Sequence, residues 1–138
     1  MKGTLVGKLT VLSVLAVFAV SLCEATSQPS TRKTVTGLII GKGKIPQNAL
    51  IKVSIDDVSL QDAASIEISS KIIKGKTQFP VAFELPYNSG QIDSRDDYAV
   101  NVRIERPNGK LVFINDQRVG VITHGLPSHN VRVNVIKV

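Results

Sequence analysis

The run from Phe79 to Leu85 constrains the fold of this chain more than any other feature. Large apolar residues alternate in it with proline, small or polar residues. The large apolar members are Phe79, Val81, Phe83 and Leu85. A period of two places these side chains on one face of a β-strand, so the run predicts a strand that is buried on one side. Pro86 follows directly, and because proline has no N–H for a β-ladder, it predicts the end of this strand.

Six further runs show the same two-residue period. They begin near residues 35, 51, 66, 98, 111 and 131. In the third of these runs, the alternation predicts that Ile66, Ile68 and Ile72 share a buried face. A tight hairpin turn is predicted at Asn108-Gly109, because both residues tolerate a positive φ. No segment has a convincing helical period of 3.6 residues.

Seven short strands at this spacing predict an all-β protein. The favoured architecture is an antiparallel β-sandwich of about seven strands, with an immunoglobulin-like or transthyretin-like shape. A small β-barrel is the alternative. Residues 34–138 are enough to bury the core of one domain, so they are assigned to a single β-sandwich domain.

The N-terminal segment is typical of an export signal. Lys2 and Lys8 precede the uncharged, mostly apolar run Leu9–Leu22, and small residues before Thr26 permit cleavage after Ala25. The run is shorter than the roughly 20 residues that a membrane-spanning helix needs. Residues 1–25 are therefore predicted to be a signal peptide, with a permanent N-terminal anchor as the alternative. Residues 26–33 are rich in Ser, Thr and basic residues and are predicted to form a flexible leader.

Cys23 is the one cysteine of the chain and occupies the place at which a bacterial lipoprotein carries its lipid. The residue before it is Leu22, whereas lipoprotein processing prefers a small residue there. Cleavage after Ala25 would leave a mature protein without any thiol. We therefore expect association with a membrane only if Cys23 is lipidated.

Residues that could carry chemistry are sparse. The two histidines, His124 and His129, lie in one Gly/Pro-containing loop without further ligands at a telling spacing, so neither a zinc site nor a catalytic triad is predicted. The acidic groups Asp56-Asp57 and 93–97 lack the pattern of a calcium loop. The segment 57–59 instead predicts local bonds from Asp and Ser at a strand end. We predict no catalytic, cofactor-binding or metal-binding residues, no cofactor and no enzymatic activity.

The formal net charge is +6 and the sequence contains no tryptophan. Because the predicted positions of the aromatic residues face the core, stacking on bases is not expected, and no nucleic-acid partner is predicted. Several lysines could meet at one end of the fold. They are Lys42, Lys44, Lys71, Lys74 and Lys76. If they do, they would suit an anionic polysaccharide, a lipid head group or an acidic protein.

Short motifs along nearly the whole mature chain carry a family resemblance. They include Val35-Thr36-Gly37, Asp57-Val58-Ser59, Phe79–Tyr87, Tyr98-Ala99-Val100 and Thr123-His124-Gly125. With these motifs the chain resembles the YbaY-type lipoprotein family of bacteria, which includes the YscW-like pilot lipoproteins of type III secretion. The resemblance implies an exported β-sandwich and no catalytic residues. For the pilot branch it implies binding of a secretin subunit and help in reaching the outer membrane.

Three functional hypotheses follow. The first is a secreted or periplasmic, monomeric, non-enzymatic binding module for an unknown protein or glycan, which could bind through an exposed sheet edge. The second is a membrane-tethered, pilot-like assembly chaperone, which requires lipidated Cys23. The third is an enzyme built around the loop from His124 to His129, which has the least support.

Overall fold

The computed structural model describes residues 31–138, which form an all-β fold. Its eight strands are β1 Arg32–Ile40, β2 Leu50–Asp57, β3 Ile66–Ile73, β4 Val81–Asn88, β5 Tyr98–Glu105, β6 Leu111–Asn115, β7 Gly120–Val121 and β8 Val131–Lys137. A short 3-10 helix, Ser89–Gln91, follows β4. The predicted all-β class is confirmed, and every predicted strand is present.

The strands form one curved sheet in the order β3-β2-β5-β6-β8-β1-β4, with β7 beside β5. Strand β8 is shared between two parts of the sheet. Its residues Val131–Asn134 pair in parallel with β1, while 135–137 pair antiparallel with β6. This strand makes the sheet continuous, and its two end strands, β3 and β4, contact each other, so the sheet forms a nearly closed barrel. The predicted antiparallel sandwich is therefore replaced by the barrel alternative, and one strand pair is parallel.

The core fills the inside of this barrel with the inward side chains of β1, β2, β4, β5, β6 and β8. The largest fully buried members include Tyr98, Phe113, Ile39, Ile51, Ile55, Leu85 and Ile104. Phe79 packs edge-on against Phe113, with ring centroids 5.2 Å apart. The buried faces predicted for β4, β5 and β8 are confirmed by this core.

Two local predictions are wrong. Strand β4 does not end before Pro86 but continues through it to Asn88. In β3 the predicted buried face is largely exposed, since Ile66 and Ile72 are 60% and 51% accessible. A register shift opposite Ile55/Asp56 changes the phase of β3, and a strand at the end of a sheet has no neighbour to cover its second edge.

The N-terminal boundary of the fold is at Arg32, so β1 includes two residues that the sequence assigned to the flexible leader. The predicted signal peptide, the first part of the leader and Cys23 lie outside the described residues. Within residues 31–138, the structure has no helix with the length and apolar character needed to cross a membrane.

The parallel pairing of β1 with β8 depends on Gly37. A Cβ atom at this position would lie 2.0 Å from the carbonyl oxygen of Val131 and 3.0 Å from the ring of Phe83. Only a residue without a side chain permits such a close approach of two backbones. The same residue pairs with Phe83 on its other side, so Gly37 joins three strands.

Candidate functional site

The candidate site is the seam between β3 and β4. These strands follow one another in the chain and run antiparallel across the seam, yet they are the two ends of the described sheet and share no β-ladder. Two side chains span the gap instead. The hydroxyl of Ser69 donates to the carbonyl oxygen of Pro86 at 2.5 Å, and Lys71 Nζ donates to that of Glu84 at 3.3 Å.

The polar face of β3 explains why these bonds form. Residues Lys71 and Ser69 lie opposite Val53 and Ile55 of β2, whose side chains point into the barrel. Directly opposed residues of neighbouring strands point to the same face, so Lys71 and Ser69 also point inward. At a closed seam this face would be apolar. In β3 it instead directs a hydroxyl and an amine toward the facing strand.

The edge of β4 presents backbone groups to the seam. Thr36 of β1 donates its N–H to the carbonyl of Ser128, away from β4. Glu84, which lies opposite Thr36 in β4, therefore belongs to a non-hydrogen-bonded pair, and the N–H and C=O of Glu84 point into the seam. Ala82 lies two residues before Glu84, so its N–H and C=O also point into the seam. Pro86 is tolerated because its missing N–H would face the seam and not the β1 ladder.

A cleft of about 420 Å³ opens along one half of the seam. It is lined by Lys71, Ile72, Ile73, Ala82, Phe83 and Glu84. Ile72 is half-exposed, whereas the ring of Phe83 is buried. The cleft thus combines strand-edge groups that no β-ladder pairs with an apolar lining. This arrangement is suited to holding a polypeptide segment by main-chain hydrogen bonds and by one or more apolar side chains.

The two histidines of the loop at residues 122–130, which we call the histidine loop, do not line the cleft of the seam. His124 Nε2 is 3.0 Å from Asp97 Oδ1, and His129 Nδ1 is 3.3 Å from Thr36 Oγ1. Each histidine therefore contacts a different neighbour, and they do not converge. Within residues 31–138, no group of three His, Cys, Asp or Glu side chains is placed to hold a metal ion. That the whole chain has no metal or catalytic residues stays a prediction.

The acidic residues organise the loops at one end of the barrel. Asp57 Oδ1 accepts from both the backbone N–H and the hydroxyl of Ser59, at 3.0 and 2.6 Å, which confirms the predicted bonds at the end of β2. Arg95 donates to Asp93 through its backbone and guanidinium, and these bonds lower the pKa of Asp93 to about 2. Burial, followed by the charge of Asp57, raises the pKa of Asp96. These contacts are local and structural.

A second groove, of about 500 Å³, lies on the outer face of β2 and β5. Asn101 donates to Asp56 within it, and Arg103 forms an ion pair with Glu105 at 3.1 Å. Asp56, Asn101 and Arg103, three of the polar residues that line this groove, are therefore already in contact with other side chains. The seam differs because the groups that it presents belong to the backbone of β4 and are not paired in a β-ladder.

Sequence reasoning did not find the seam. Ser69 and Lys71 looked like the solvent face of β3, and Ala82 and Glu84 looked like that of β4. The available signal was a polar alternate face in β3 followed by a proline inside the next strand. Both features are typical of edge strands.

Comparison with known proteins gives the family. The model of the type III secretion system lipoprotein chaperone YscW matches residues 30–134. The chain belongs to this lipoprotein chaperone family. It is also 33% identical over 107 residues to the uncharacterized lipoprotein YbaY of Escherichia coli strain K12, covering 74% of this chain and 55% of YbaY. The chain thus spans about half the length of this curated relative. The resemblance to the YbaY-type family is confirmed.

A solved structure supports the same relationship. This chain is similar to an alternative pilotin from the type II secretion system of Vibrio cholerae, with a TM-score of 0.72 and 35% sequence identity. The match covers 78% of this chain and 98% of the pilotin. The shared fold therefore includes nearly the whole of that pilotin.

Proposed function

We propose that this protein is a cell-envelope assembly chaperone of the pilotin type, which holds a segment of a secretion-system protein in the seam between β3 and β4. The observation that carries the proposal is the unpaired seam with its apolar cleft. The names of the family and of the pilotin neighbour favour the assembly chaperone over a general binding module. In this role the protein recognises a polypeptide and catalyses no reaction.

Strand addition is the mode of binding that fits the seam. An extended segment of the partner would hydrogen-bond to the seam-facing N–H and C=O groups of Ala82 and Glu84. An apolar side chain on the outer face of this segment would contact Ile72, and one on its inner face would contact Phe83. The Lys71 bond to Glu84, at 3.3 Å, is long and involves an exposed side chain. It can be displaced at small cost, because exposed polar contacts exchange readily with water.

Membrane tethering completes the proposal. Lipidation of Cys23 would hold the protein on a membrane of the envelope while the barrel binds its partner. The lipoprotein relatives support this location. Intact mass and N-terminal sequencing of the protein from its native host test it. Acyl groups on Cys23 are expected, and a free N-terminus at Thr26 would contradict tethering without affecting the role of the seam.

Site-specific photocrosslinking tests the seam in the native host. A photoreactive amino acid at position Ile72 should form a covalent adduct with a secretion-system protein of the envelope, identified by mass spectrometry. The matched control places the same group at Leu126, which is 44% exposed and lies in the histidine loop. Equal crosslinking to the same protein from both positions, or none from Ile72, would overturn the seam as the binding site.

A further inference from the structure

Charge is distributed unevenly between the two ends of the barrel. One end carries the loops that connect β1 to β2 and β3 to β4. Four lysines lie in these loops, and we call them the basic rim. They are Lys42, Lys44, Lys74 and Lys76. All four are exposed, and none of them forms an ion pair within residues 31–138.

Backbone contacts hold the two loops of the basic rim together. Lys44 forms an isolated β-bridge with Gln78. The N–H of Ile45 donates to the carbonyl of Thr77 at 3.0 Å. The lysines therefore belong to one surface. The clustering considered from the sequence occurs for these four residues, while Lys71 lies at the seam.

The opposite end of the barrel is rich in carboxylates. They follow the end of β2, precede β5 and follow β6. Their members are Asp57, Asp62, Asp93, Asp96, Asp97 and Asp116. Near the basic rim, by contrast, the acidic side chain of β5 is Glu105, and it is bound by Lys52 and Arg103. The lysines of the rim are thus without a local counter-charge.

The seam opens toward the basic rim. The half of the seam that is farther from the rim is closed by the bond from Ser69 to Pro86. The cleft lies in the half nearer the rim, between residues 71–73 and 82–84. The chain continues from Ile73 directly into Lys74-Gly75-Lys76. A polypeptide that lies in the cleft and leaves it at this end therefore emerges beside Lys74 and Lys76.

We propose that the basic rim binds an acidic segment of the partner polypeptide, adjoining the apolar segment that the seam holds. This inference rests on the proposed function. A polypeptide fits better than a membrane surface, because the apolar residues Ile45 and Ala49 of the rim loops are buried and cannot insert into lipid. Moreover, β1 begins at the opposite end, so a tether through Cys23 joins the barrel far from the rim.

Fluorescence anisotropy with a labelled polyglutamate peptide tests the rim. The rim variant combines Lys42→Gln, Lys74→Gln and Lys76→Gln. The control variant combines Arg32→Gln, Lys33→Gln and Arg132→Gln, which remove the same net charge. These three residues are also exposed and form no ion pair within residues 31–138. We expect the rim variant to bind the peptide about tenfold more weakly, as the loss of three surface charge pairs implies. The control should change binding by less than about twofold, and salt should weaken the binding of the unmodified protein.

Each other outcome has a definite meaning. Equal weakening in both variants would show an effect of net charge alone and would overturn the proposal. So would unchanged binding in the rim variant. Release of the rim variant from vesicles of phosphatidylethanolamine and phosphatidylglycerol, with peptide binding intact, would assign the rim to a membrane. Ile72→Ser separates the two proposals, because it removes the apolar contact without adding a charge beside the rim, so it should weaken partner binding at the seam and leave polyglutamate binding unchanged.

Discussion

The barrel is closed in two different ways on its two sides. Where β1 meets β8, the backbones approach so closely that a Cβ atom at Gly37 would overlap the carbonyl of Val131. Where β3 meets β4, no ladder forms, and Ser69 and Lys71 reach across to two carbonyls. The first junction depends on the absence of a side chain, and the second on the presence of two.

The two junctions differ in their roles: the one between β1 and β8 stabilises the barrel, whereas the seam is the proposed binding site. A laddered junction satisfies its backbone groups internally and leaves nothing to offer a partner. The seam leaves the N–H and C=O groups of Ala82 and Glu84 facing outward from β4, beside an apolar cleft. The barrel can therefore tolerate changes at the seam that it cannot tolerate at β1 and β8.

The largest effect is expected at the laddered junction. Gly37→Ala should destabilise the protein by about 3 kcal/mol or more, because its methyl group can be accommodated only by moving β8 away from β1. Urea denaturation measures the loss. Gly120→Ala is the matched control, since the nearest atom to its new Cβ is the tip of the partly exposed Leu126 side chain, which can move. Equal, small effects would show that the two backbones are farther apart.

Removal of a core ring that borders both regions should cost nearly as much. Phe83 is 5% exposed and packs beneath the seam and beside Gly37. We expect Phe83→Ala to lower the free energy of unfolding by about 3 kcal/mol. His124→Ala should have a much smaller effect, because its contact with Asp97 is between half-exposed side chains. Similar small changes in melting temperature for both variants would place Phe83 outside the core.

The seam itself should contribute little to stability. Ser69→Ala removes the donor to the Pro86 carbonyl, which water can then reach, so we expect a loss of about 1 kcal/mol or less. Ser70→Ala, at the neighbouring exposed position of β3, controls for the change in intrinsic strand preference from serine to alanine. A loss of several kcal/mol at Ser69 would mean that this bond closes the barrel as firmly as a ladder.

Acidification should weaken the laddered wall between β2 and β5. Hydrogen bonds from Arg103 and then Lys52 lower the pKa of Glu105 below its ordinary value of 4.5. A group with a lowered folded-state pKa stabilises the protein above its ordinary pKa, and this contribution is lost as the pH falls through the folded-state pKa. Glu105→Gln should therefore reduce the difference in stability measured between about pH 7 and about pH 3. An unchanged difference would assign the acid sensitivity to other carboxylates, such as Asp93.

The sequence was sufficient for the parts of the fold that repeat locally. Alternation identified the seven longer strands and the buried faces of β4, β5 and β8, because burial of one face enforces a period of two. Strand β7 was missed, since its two residues are too few to show a period. The sharing of β8 between β1 and β6 was also missed, because pairing between distant segments leaves no local pattern.

The seam could not be predicted for a related reason. Strands that follow each other usually pair, so no local pattern distinguishes the open seam between β3 and β4 from an ordinary hairpin. The error over Pro86 has the same origin, since proline ends a ladder only on the edge where its N–H is needed. The prediction that Ile66 and Ile72 are buried assumed an uninterrupted period of two, which the register shift opposite Ile55/Asp56 breaks.

Residue-by-residue hydrogen exchange of the free protein, measured by NMR, tests most directly whether the seam is unpaired. The amides of Val81, Phe83 and Leu85 face β1 and serve as controls within the same strand. We expect them to exchange slowly, while those of Ala82 and Glu84, which face the seam, exchange rapidly. Equal protection of all five amides would show that β3 and β4 are joined by a ladder and would contradict an open binding site between them.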